Sequence, residues 1–433
     1  RARQNRHNNA LCNGQSKQCQ NLTSEIYKLE KQYMNTTWRQ CTIGDVCDTI
    51  SNTYNSNAQQ VVLINTSDVL EGKVLNHIYI PNENLKGQFK KTFEEGDILY
   101  SEIRPQNKRY AYIDFAPINY IASTKLMVIR NKNIVKSKYL YYFLQSDKII
   151  SELQMLAETR SGTFPQITFN ELSKLSIKIP PLPEQDRIIS ILDSICKKID
   201  INQQINDNLE EQAKALFKSW FVDFEPFKGG KFVDSELGLI PKGWSTGTIY
   251  SYIDVIYGAP YKSALFNDKK QGLPLIRIRD LKTYTPQYYT KEVLPNTEYV
   301  ECGDIIAGMD AEFIPHILRG EKGVLNQRLC KFVPKYDYVS KYYIYSLVYP
   351  KLAFVQSYKV GTTVSHLGKA DIDRFKVIVP PEDIIMQYSK IVNSYFAEIV
   401  KVSNENQILS SLRDTLLPKL MSGELSVEEV SLD

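Results

Sequence analysis

The chain contains an internal repeat, because a set of landmarks recurs about 200 residues further along the sequence. The matching pairs are Gly162-Thr163 with Thr362-Thr363, Pro180-Pro181 with Pro380-Pro381, and two helical runs that end near Trp220 and Leu420. A duplicated chain presents two similar surfaces related by pseudo-twofold symmetry. The sequence therefore predicts a target that itself has two parts.

Length and composition predict a globular protein of two or three domains. Of the 433 residues 43% are hydrophobic, and no apolar run reaches the roughly 18 residues of a membrane helix. The seven cysteines form no CxxC pair and lie apart from the four histidines, which argues against structural zinc and favours reduced thiols. The polar start lacks a secretory signal, so we expect a cytoplasmic protein.

The first half of the chain divides into an N-terminal extension over 1–36 and a mixed α+β domain over 37–181. We expect the extension to be disordered at first and helical from Thr23 to Met34. Within the α+β domain, the pattern predicts strands and one helix. They cover Gln60 to Ile64, Asp97 to Ser101, Lys125 to Ile129, and Ser137 to about Gln154.

A long helix is predicted over 182–226 and a second over 382–425, each directly after a Pro-Pro pair. Apolar residues in the first helix follow one another at alternating steps of three and four, which is typical of a coiled-coil seam. The seam comprises Ile188, Leu192, Ile195, Ile199, Asn202, Asn206, Leu209, Ala213, Leu216 and Trp220. The second helix repeats it with Val392, Tyr395, Ile399, Val402, Asn406, Leu409 and Leu416. The run is about 50 Å long at ~1.5 Å per residue.

Asn206 and Asn406 are polar residues in otherwise apolar seams. A buried Asn that pairs across two helices fixes their register at some cost in stability. We therefore predict that the two helices pack antiparallel within one chain and that these residues set the coiled-coil register. Two unrelated helices, each packed on its own domain, are the alternative.

A linker over 227–243 leads to a second mixed domain over 244–381, and 426–433 form a tail. The second domain repeats landmarks of the first: Trp38 with Trp244, Gly96-Asp97 with Gly303-Asp304, and Ser137-Lys138-Tyr139 with Ser340-Lys341-Tyr342. Between these landmarks the two copies share little sequence, which suits two modules with different ligands. The predicted fold class is α+β, with two domains of mixed strands and helices separated by two long antiparallel coiled-coil helices.

Several motifs resemble the specificity subunit of type I restriction–modification enzymes. They are Pro180-Pro181-Leu182-Pro183-Glu184-Gln185, Trp220-Phe221-Val222-Asp223-Phe224, Gly238-Leu239-Ile240-Pro241-Lys242-Gly243-Trp244 and the end from Leu416 to Leu425. The resemblance covers about Trp38 to Leu425. In the second copy Glu382-Asp383 follow the Pro-Pro pair, and Gln387 is the nearest counterpart of Gln185.

This resemblance implies two target-recognition domains, each specific for one half of a bipartite double-stranded DNA target, with the helices setting the gap. It also implies a non-catalytic chain that binds two methyltransferase subunits and restriction/translocase subunits. S-adenosylmethionine, ATP and Mg²⁺ would belong to those partner subunits, and this chain would bind no cofactor or metal.

The residues themselves support no catalytic site. No Asp/Asn-Pro-Pro-aromatic loop and no GxxxxGK[ST] motif occurs, and Asp223, Glu225 and Lys228 lack the spacing of a magnesium nuclease. His366 has no evident acidic partner in the sequence, and the first copy has Gln166 at the equivalent position. A fused methyltransferase–nuclease is therefore disfavoured. A non-enzymatic coiled-coil adaptor that binds proteins rather than DNA remains the competing function.

Base readout requires Arg, Lys, Asn, Gln and small polar side chains that reach base edges. In the first domain the candidates are Arg104, Gln106, Lys108 and Arg109 in a loop after a strand, and Arg160, Ser161, Thr163 and Gln166. In the second they are Arg277, Arg279 and Lys282, with both arginines on one face of a strand, then Gln327, Arg328, Thr362, Thr363, Ser365 and His366. Pseudo-twofold symmetry predicts half-sites in inverted orientation.

Overall fold

A computed structural model describes residues 38–83, 85, 87–160, 165–282, 284–359 and 366–430. The predicted helix from Thr23 to Met34 lies outside these residues. Within them, no helix is both long and apolar enough to cross a membrane. The helices are α1 (Ile43–Val46), α2 (Ser137–Leu144), α3 (Asp147–Arg160), α4 (Phe169–Leu172), α5 (Leu182–Phe221), α6 (Lys341–Lys359), α7 (Lys369–Asp373) and α8 (Glu382–Ser422).

The chain folds into two compact units that are discontinuous in sequence. The first unit contains the residues up to Ile195 together with those from Leu412 onward, and the second contains Cys196–Ser411. Both long helices, α5 and α8, are therefore shared between the units. Each recognition domain folds together with a part of both helices, which was not apparent from the sequence.

The first unit contains twelve short strands among the described residues. They are β1 (Arg39–Thr42), β2 (Cys47–Ile50), β3 (Gln60–Ile64), β4 (Val69–Leu70), β5 (Lys73–Val74), β6 (Ile80–Pro81), β7 (Phe89–Lys91), β8 (Ile98–Ser101), β9 (Tyr110–Tyr112), β10 (Tyr120–Ser123), β11 (Leu126–Asn131) and β12 (Ser176–Ile179). The three strands predicted from the sequence correspond to β3, β8 and β11, because β-branched and apolar residues between turn signals favour strands.

The first unit is built mainly from three sheets. β1 pairs with β12 in an antiparallel ribbon, one four-stranded sheet has the order β2-β11-β8-β9, and another has the order β6-β3-β10-β7. The pair of β3 and β10 is parallel, whereas β8 pairs antiparallel with both β9 and β11. Val62, Leu99 and Val128 are fully buried in the core between these strands.

The second unit repeats this architecture with a different sequence. Its strands are β13 (Phe232–Ser235), β14 (Gly238–Pro241), β15 (Ser245–Thr248), β16 (Ile253–Tyr257), β17 (Leu273–Ile276), β18 (Tyr289–Thr290), β19 (Tyr299–Val300), β20 (Ile305–Gly308), β21 (Pro315–Ile317), β22 (Gly323–Leu325), β23 (Leu329–Pro334) and β24 (Lys376–Val379). β15 pairs with β24, and the larger sheets have the orders β16-β23-β20-β21 and β18-β17-β22-β19. The parallel pair of the first unit recurs as β17 and β22. The two copies thus share a topology where they share little sequence.

The long helices begin directly after the two Pro-Pro pairs, as predicted, and their seam positions are buried or half-buried. Two contacts in the second unit show that α5 and α8 run antiparallel. Asn202 donates to Oδ1 of Asn406 over 2.8 Å, and Asn206 donates to the hydroxyl of Ser403 over 3.1 Å. A rising residue number on α5 therefore corresponds to a falling number on α8, so the two helices form one antiparallel coiled coil.

Asn206 and Asn406 each bond to the opposite helix but not to each other. Asn206 meets Ser403, while Asn406 meets Asn202 and also donates to the carbonyl of Ile199 over 3.3 Å. The two asparagines related by the repeat therefore have different partners on the opposite helix. Their role in setting the register remains a prediction.

Two local elements differ from the sequence prediction. The helix predicted from Ser137 to Gln154 is broken between α2 and α3, because the Ser146 hydroxyl donates back to the Phe143 carbonyl over 2.8 Å. The predicted linker contains the hairpin of β13 and β14, and Phe232 on that hairpin lies 5.8 Å from Phe224, between ring centroids.

Candidate nucleic-acid interface

In the first unit, Gln166 of the second candidate cluster lies beside the loop that carries the first cluster. Ile103 forms an isolated antiparallel bridge with Gln166. The amide of Arg104 donates to the Pro165 carbonyl over 3.1 Å, and the amide of Ile167 donates to the Glu102 carbonyl over 2.8 Å. The loop after β8 and the segment before α4 therefore form one surface.

The four candidate residues of this loop have different environments. The side chains of Arg104 and Gln106 are exposed. Lys108 forms an ion pair with Asp147 at 3.2 Å. The Arg109 guanidinium donates to the carbonyls of Ser67 and Val69 over 3.0 and 3.3 Å, which is a structural role. Of the four candidates in this loop, Arg104 and Gln106 are therefore the most accessible to solvent.

Lys125 belongs to the same surface although it was not among the sequence candidates. Its ammonium donates to Oε1 of Gln166 over 3.2 Å and lies 3.6 Å from a carboxylate oxygen of Glu102. No sequence signal singled it out, because only pairing of distant strands brings it to Gln166. Ser161 and Thr163, together with the Arg160 side chain, lie outside the described residues.

In the second unit, Asp310 contacts two of the sequence candidates, His366 and Arg328. It forms an isolated antiparallel β-bridge with His366. In addition, Nδ1 of His366 lies 2.7 Å from Oδ1 of the Asp310 side chain. The Nε of Arg328 lies 3.4 Å from the other carboxylate oxygen. His366 thus has an acidic partner, contrary to the prediction. Asp310 is distant in sequence and corresponds to Ile103 in the first copy, so only the repeated bridge identifies it.

Lys282 is held next to this group by Glu312, with 3.1 Å between its ammonium and the carboxylate. The Glu312 carboxylate also lies 3.9 Å from Nε2 of His316. Burial lowers the pKa of His316, although Glu312 acts in the opposite direction. Burial of the imidazole therefore favours the neutral form of His316.

Arg277 and Arg279 do not share the face of a strand, contrary to the prediction. β17 ends at Ile276, and Arg277 precedes a 3₁₀ turn in which side chains rotate by about 120° per residue. The Arg277 guanidinium lies 4.3 Å from the ring centroid of Tyr288, donates to Gln287 over 2.9 Å, and its side chain is 16% exposed. Arg279 is exposed.

The remaining candidates are divided between exposed and undescribed positions. Gln327 is exposed, and its amide donates to the carbonyl of Ala259 over 2.8 Å. Thr362, Thr363 and Ser365 lie outside the described residues.

Polar contacts attach each recognition domain to the spacer helices. In the first unit, Asp193 on α5 accepts hydrogen bonds from Lys138 and Tyr142, both of 2.6 Å. In the second unit, Arg319 forms an ion pair with Glu210 on α5, and its carbonyl accepts a 2.8 Å bond from Gln407 on α8. Desolvation by burial raises the pKa of Glu210, while Arg319 partly counteracts it.

The Gln185 motif residue has a capping role that the second copy fills differently. Buried Gln185 accepts from the amide of Lys136 and donates to the Pro180 carbonyl, both over 2.8 Å. In the second copy, the hydroxyl of Ser389 accepts from the amide of Ser340 over 3.1 Å. Gln387 is exposed, so Ser389 rather than Gln387 makes the contact in the second copy that resembles the contact of Gln185 with Lys136.

Among the described residues, no group of three or more His, Cys, Asp or Glu side chains could hold a metal ion. Cys41, Cys47, Cys302 and Cys330 are free thiols.

Comparisons with known proteins identify one family. The family described as type I restriction modification DNA specificity domain matches residues 35–211 and 241–410. The HindI specificity subunit of Haemophilus influenzae is 32% identical over 460 residues, covering 90% of this chain and 99% of the relative. The MjaIX specificity subunit of Methanocaldococcus jannaschii is 29% identical over 352 residues, covering 73% and 77%. A solved type I S subunit from M. genitalium is 17% identical, with 89% and 96% covered and a TM-score of 0.45.

Two units of one topology, each carrying a polar loop surface and each folded with part of an antiparallel coiled coil, define a protein with two recognition modules. The chain belongs to the type I restriction modification DNA specificity family. It is a specificity subunit of a type I restriction–modification system, and its role is DNA recognition. Family membership does not favour the protein-binding adaptor.

Proposed function

We propose that each unit recognises one half of a bipartite DNA target through its loop surface. The supporting observation is that the same bridge position recurs in both units, as Ile103 with Gln166 and as Asp310 with His366. The polar side chains around the two bridges differ. The two loop surfaces therefore have the same backbone arrangement but carry different hydrogen-bond donors and acceptors. This combination suits two half-sites of different sequence.

The chain serves as the non-catalytic subunit of its complex, acting in the cytoplasm. Its partners are double-stranded DNA, two methyltransferase subunits and the restriction/translocase subunits. It binds no cofactor itself, and S-adenosylmethionine, ATP and Mg²⁺ are used by the partner subunits. The absence of nucleotide-binding and methyltransferase motifs in the sequence supports this division of roles.

The two long helices set the gap between the half-sites. A paired antiparallel coiled coil is a stiff spacer, and buried polar contacts across its seam oppose sliding of one helix along the other. Asp193 and Arg319 support this role because they attach each recognition domain to a spacer helix.

The experiment is selection of DNA fragments from a random double-stranded library by the chain co-purified with its methyltransferase subunit, followed by sequencing. We expect two short motifs at a constant separation, in inverted orientation. A matched control uses a chain with Arg104→Ala and Gln106→Ala, which should relax the first motif alone. Retention of fragments without any shared motif would contradict the proposed function, and a single continuous motif would contradict the division between the units.

A further inference from the structure

The two recognition loops share a backbone conformation that their sequences do not show. Arg104 directly follows the bridge residue Ile103 and has φ 44°, and Ala311 directly follows the bridge residue Asp310 and has φ 60°. Both loops therefore leave the bridge through a left-handed residue that is not glycine.

Left-handed backbone is unfavourable for residues with a Cβ atom, so it persists only where surrounding contacts hold it. The bridges hold one side of each loop. The far side needs a second anchor, because an exposed loop without one would lose its orientation toward DNA.

In the first unit, that anchor is Gln154 on α3. Its Oε1 accepts from the amide of Gln106 over 3.2 Å, and its Nε2 donates to Oε1 of Glu158 over 2.7 Å. Gln154 is 6% exposed, so its side chain is fixed by packing and cannot itself present donors to DNA. Gln106 lies three residues after Ile103.

In the second unit, Gln356 on α6 makes the equivalent contact. Its Oε1 accepts from the amide of Phe313 over 2.7 Å, and its Nε2 donates to the carbonyl of Ala311 over 3.3 Å. Phe313 lies three residues after Asp310. The anchored amide therefore has the same position relative to the bridge in both loops, and a helix glutamine supplies the acceptor in both.

We propose that Gln154 and Gln356 are positioning residues for DNA specificity, each holding the recognition loop of its own unit in the conformation that reads one half-site. This inference rests on the proposed function. Neither glutamine contacts DNA; each acts through the loop backbone that it binds. Loss of one glutamine therefore impairs the selectivity of one half-site and leaves the other unchanged.

The test compares Gln154→Leu and Gln356→Leu with the wild-type chain, each co-purified with the methyltransferase subunit. Binding competition among DNA fragments mutated in one half-site reports selectivity as a ratio, so the amount of folded protein cancels. Loss of one hydrogen bond predicts that Gln154→Leu lowers discrimination in the first half-site about tenfold. Gln356→Leu should lower discrimination in the second half-site by a similar factor.

Two conservative variants separate positioning from general packing. Gln356→Glu keeps an acceptor for the Phe313 amide and should recover most of the selectivity. The double variant Gln154→Glu/Glu158→Gln keeps an acceptor for the Gln106 amide and exchanges donor and acceptor only in the bond between residues 154 and 158. It should behave as the wild type. The inference would be overturned if a single leucine variant lost selectivity equally at both half-sites. It would also be overturned if both leucine variants kept wild-type selectivity.

Hydrogen exchange of the free chain gives a readout that does not depend on DNA. The amides of Gln106 and Phe313 should exchange faster in the corresponding leucine variant, and unchanged protection would overturn the inference. If the wild type selects no motif while these amides respond as expected, the proposed DNA readout fails and the loop anchors stand. The two failures are thereby distinguishable.

Discussion

At the scale of single residues, arginines in one loop differ in exposure and in hydrogen bonding according to their neighbours. Arg104 and Arg109 belong to one loop, yet Arg104 is exposed and Arg109 donates to two backbone carbonyls. In the second unit, Arg279 is exposed while Arg277 stacks on Tyr288. Composition and spacing identify basic loops, but only the contacts separate an exposed arginine from one that is bound within the fold.

This difference predicts opposite effects for two matched substitutions. Arg104→Ala should relax specificity at one position of the first half-site, by about 1 to 3 kcal/mol of discrimination, and leave the melting temperature unchanged. Arg109→Ala should lower stability by roughly 1 to 2 kcal/mol, because the carbonyls of Ser67 and Val69 lose a charged donor. DNA competition and thermal unfolding measure the two effects. Reversal of the two results would show that Arg109 is the reader.

Thiol reactivity provides a pH-dependent check on the second unit. Burial raises the pKa of Cys302 to about 11 and that of Cys330 to about 12. Since only the thiolate reacts, roughly a thousandth of Cys302 is reactive at pH 8. We expect both residues to resist alkylation at pH 8 until the chain is unfolded in urea, as followed by mass spectrometry. Rapid labelling of Cys330 in the folded chain would contradict the described core.

At the scale of elements, the seam of the coiled coil combines apolar contacts with a polar segment around Asn202, Asn206 and Asn406. Asn202 donates to both Glu405 and Asn406, each over 2.8 Å. Buried polar groups stabilise little by themselves, but they penalise any register that leaves them without partners. The polar segment therefore favours one register of the two helices, whereas an apolar seam alone would tolerate a shift of one helical turn.

Substitutions in this segment should separate stability from register. Asn406→Ala should lower the free energy of unfolding by roughly 1 to 3 kcal/mol, because the Asn202 amide loses one of its two acceptors and the Ile199 carbonyl loses a donor. The double variant Asn202→Leu/Asn406→Leu should regain that stability through apolar contact. Urea unfolding followed by circular dichroism measures both, and the DNA library shows whether the double variant tolerates more than one gap. A constant gap together with regained stability would argue against a register role.

At the scale of the whole molecule, the repeat places equal topologies in both units, and both long helices pass from one unit to the other in sequence. Because α5 and α8 are paired across their seam, changing the spacer requires changing both helices. Lengthening the first helix alone would leave seven residues without opposite partners.

A heptad inserted between Ile195 and Cys196, matched by one between Ser411 and Leu412, should lengthen the coiled coil by roughly 10 Å. The preferred gap between half-sites should then grow by about three base pairs at ~3.4 Å each. Library selection measures the gap, and insertion into α5 alone is the control, expected to destabilise the chain. An unchanged gap in the double insertion would refute the idea that the helices act as a ruler.

The sequence by itself determined the repeat, the two long helices with their antiparallel pairing, the α+β class and the family, because periodicity and local motifs are properties of neighbouring residues. It also located the loop after β8 and the segment near Gln166 as polar surfaces. Only the tertiary structure decided that these two surfaces are one, that Asp310 holds His366 and Arg328, and that Gln154 and Gln356 anchor equivalent loops. These relations join residues tens of positions apart, and the pairing of distant strands that creates them leaves no periodic signal in the chain.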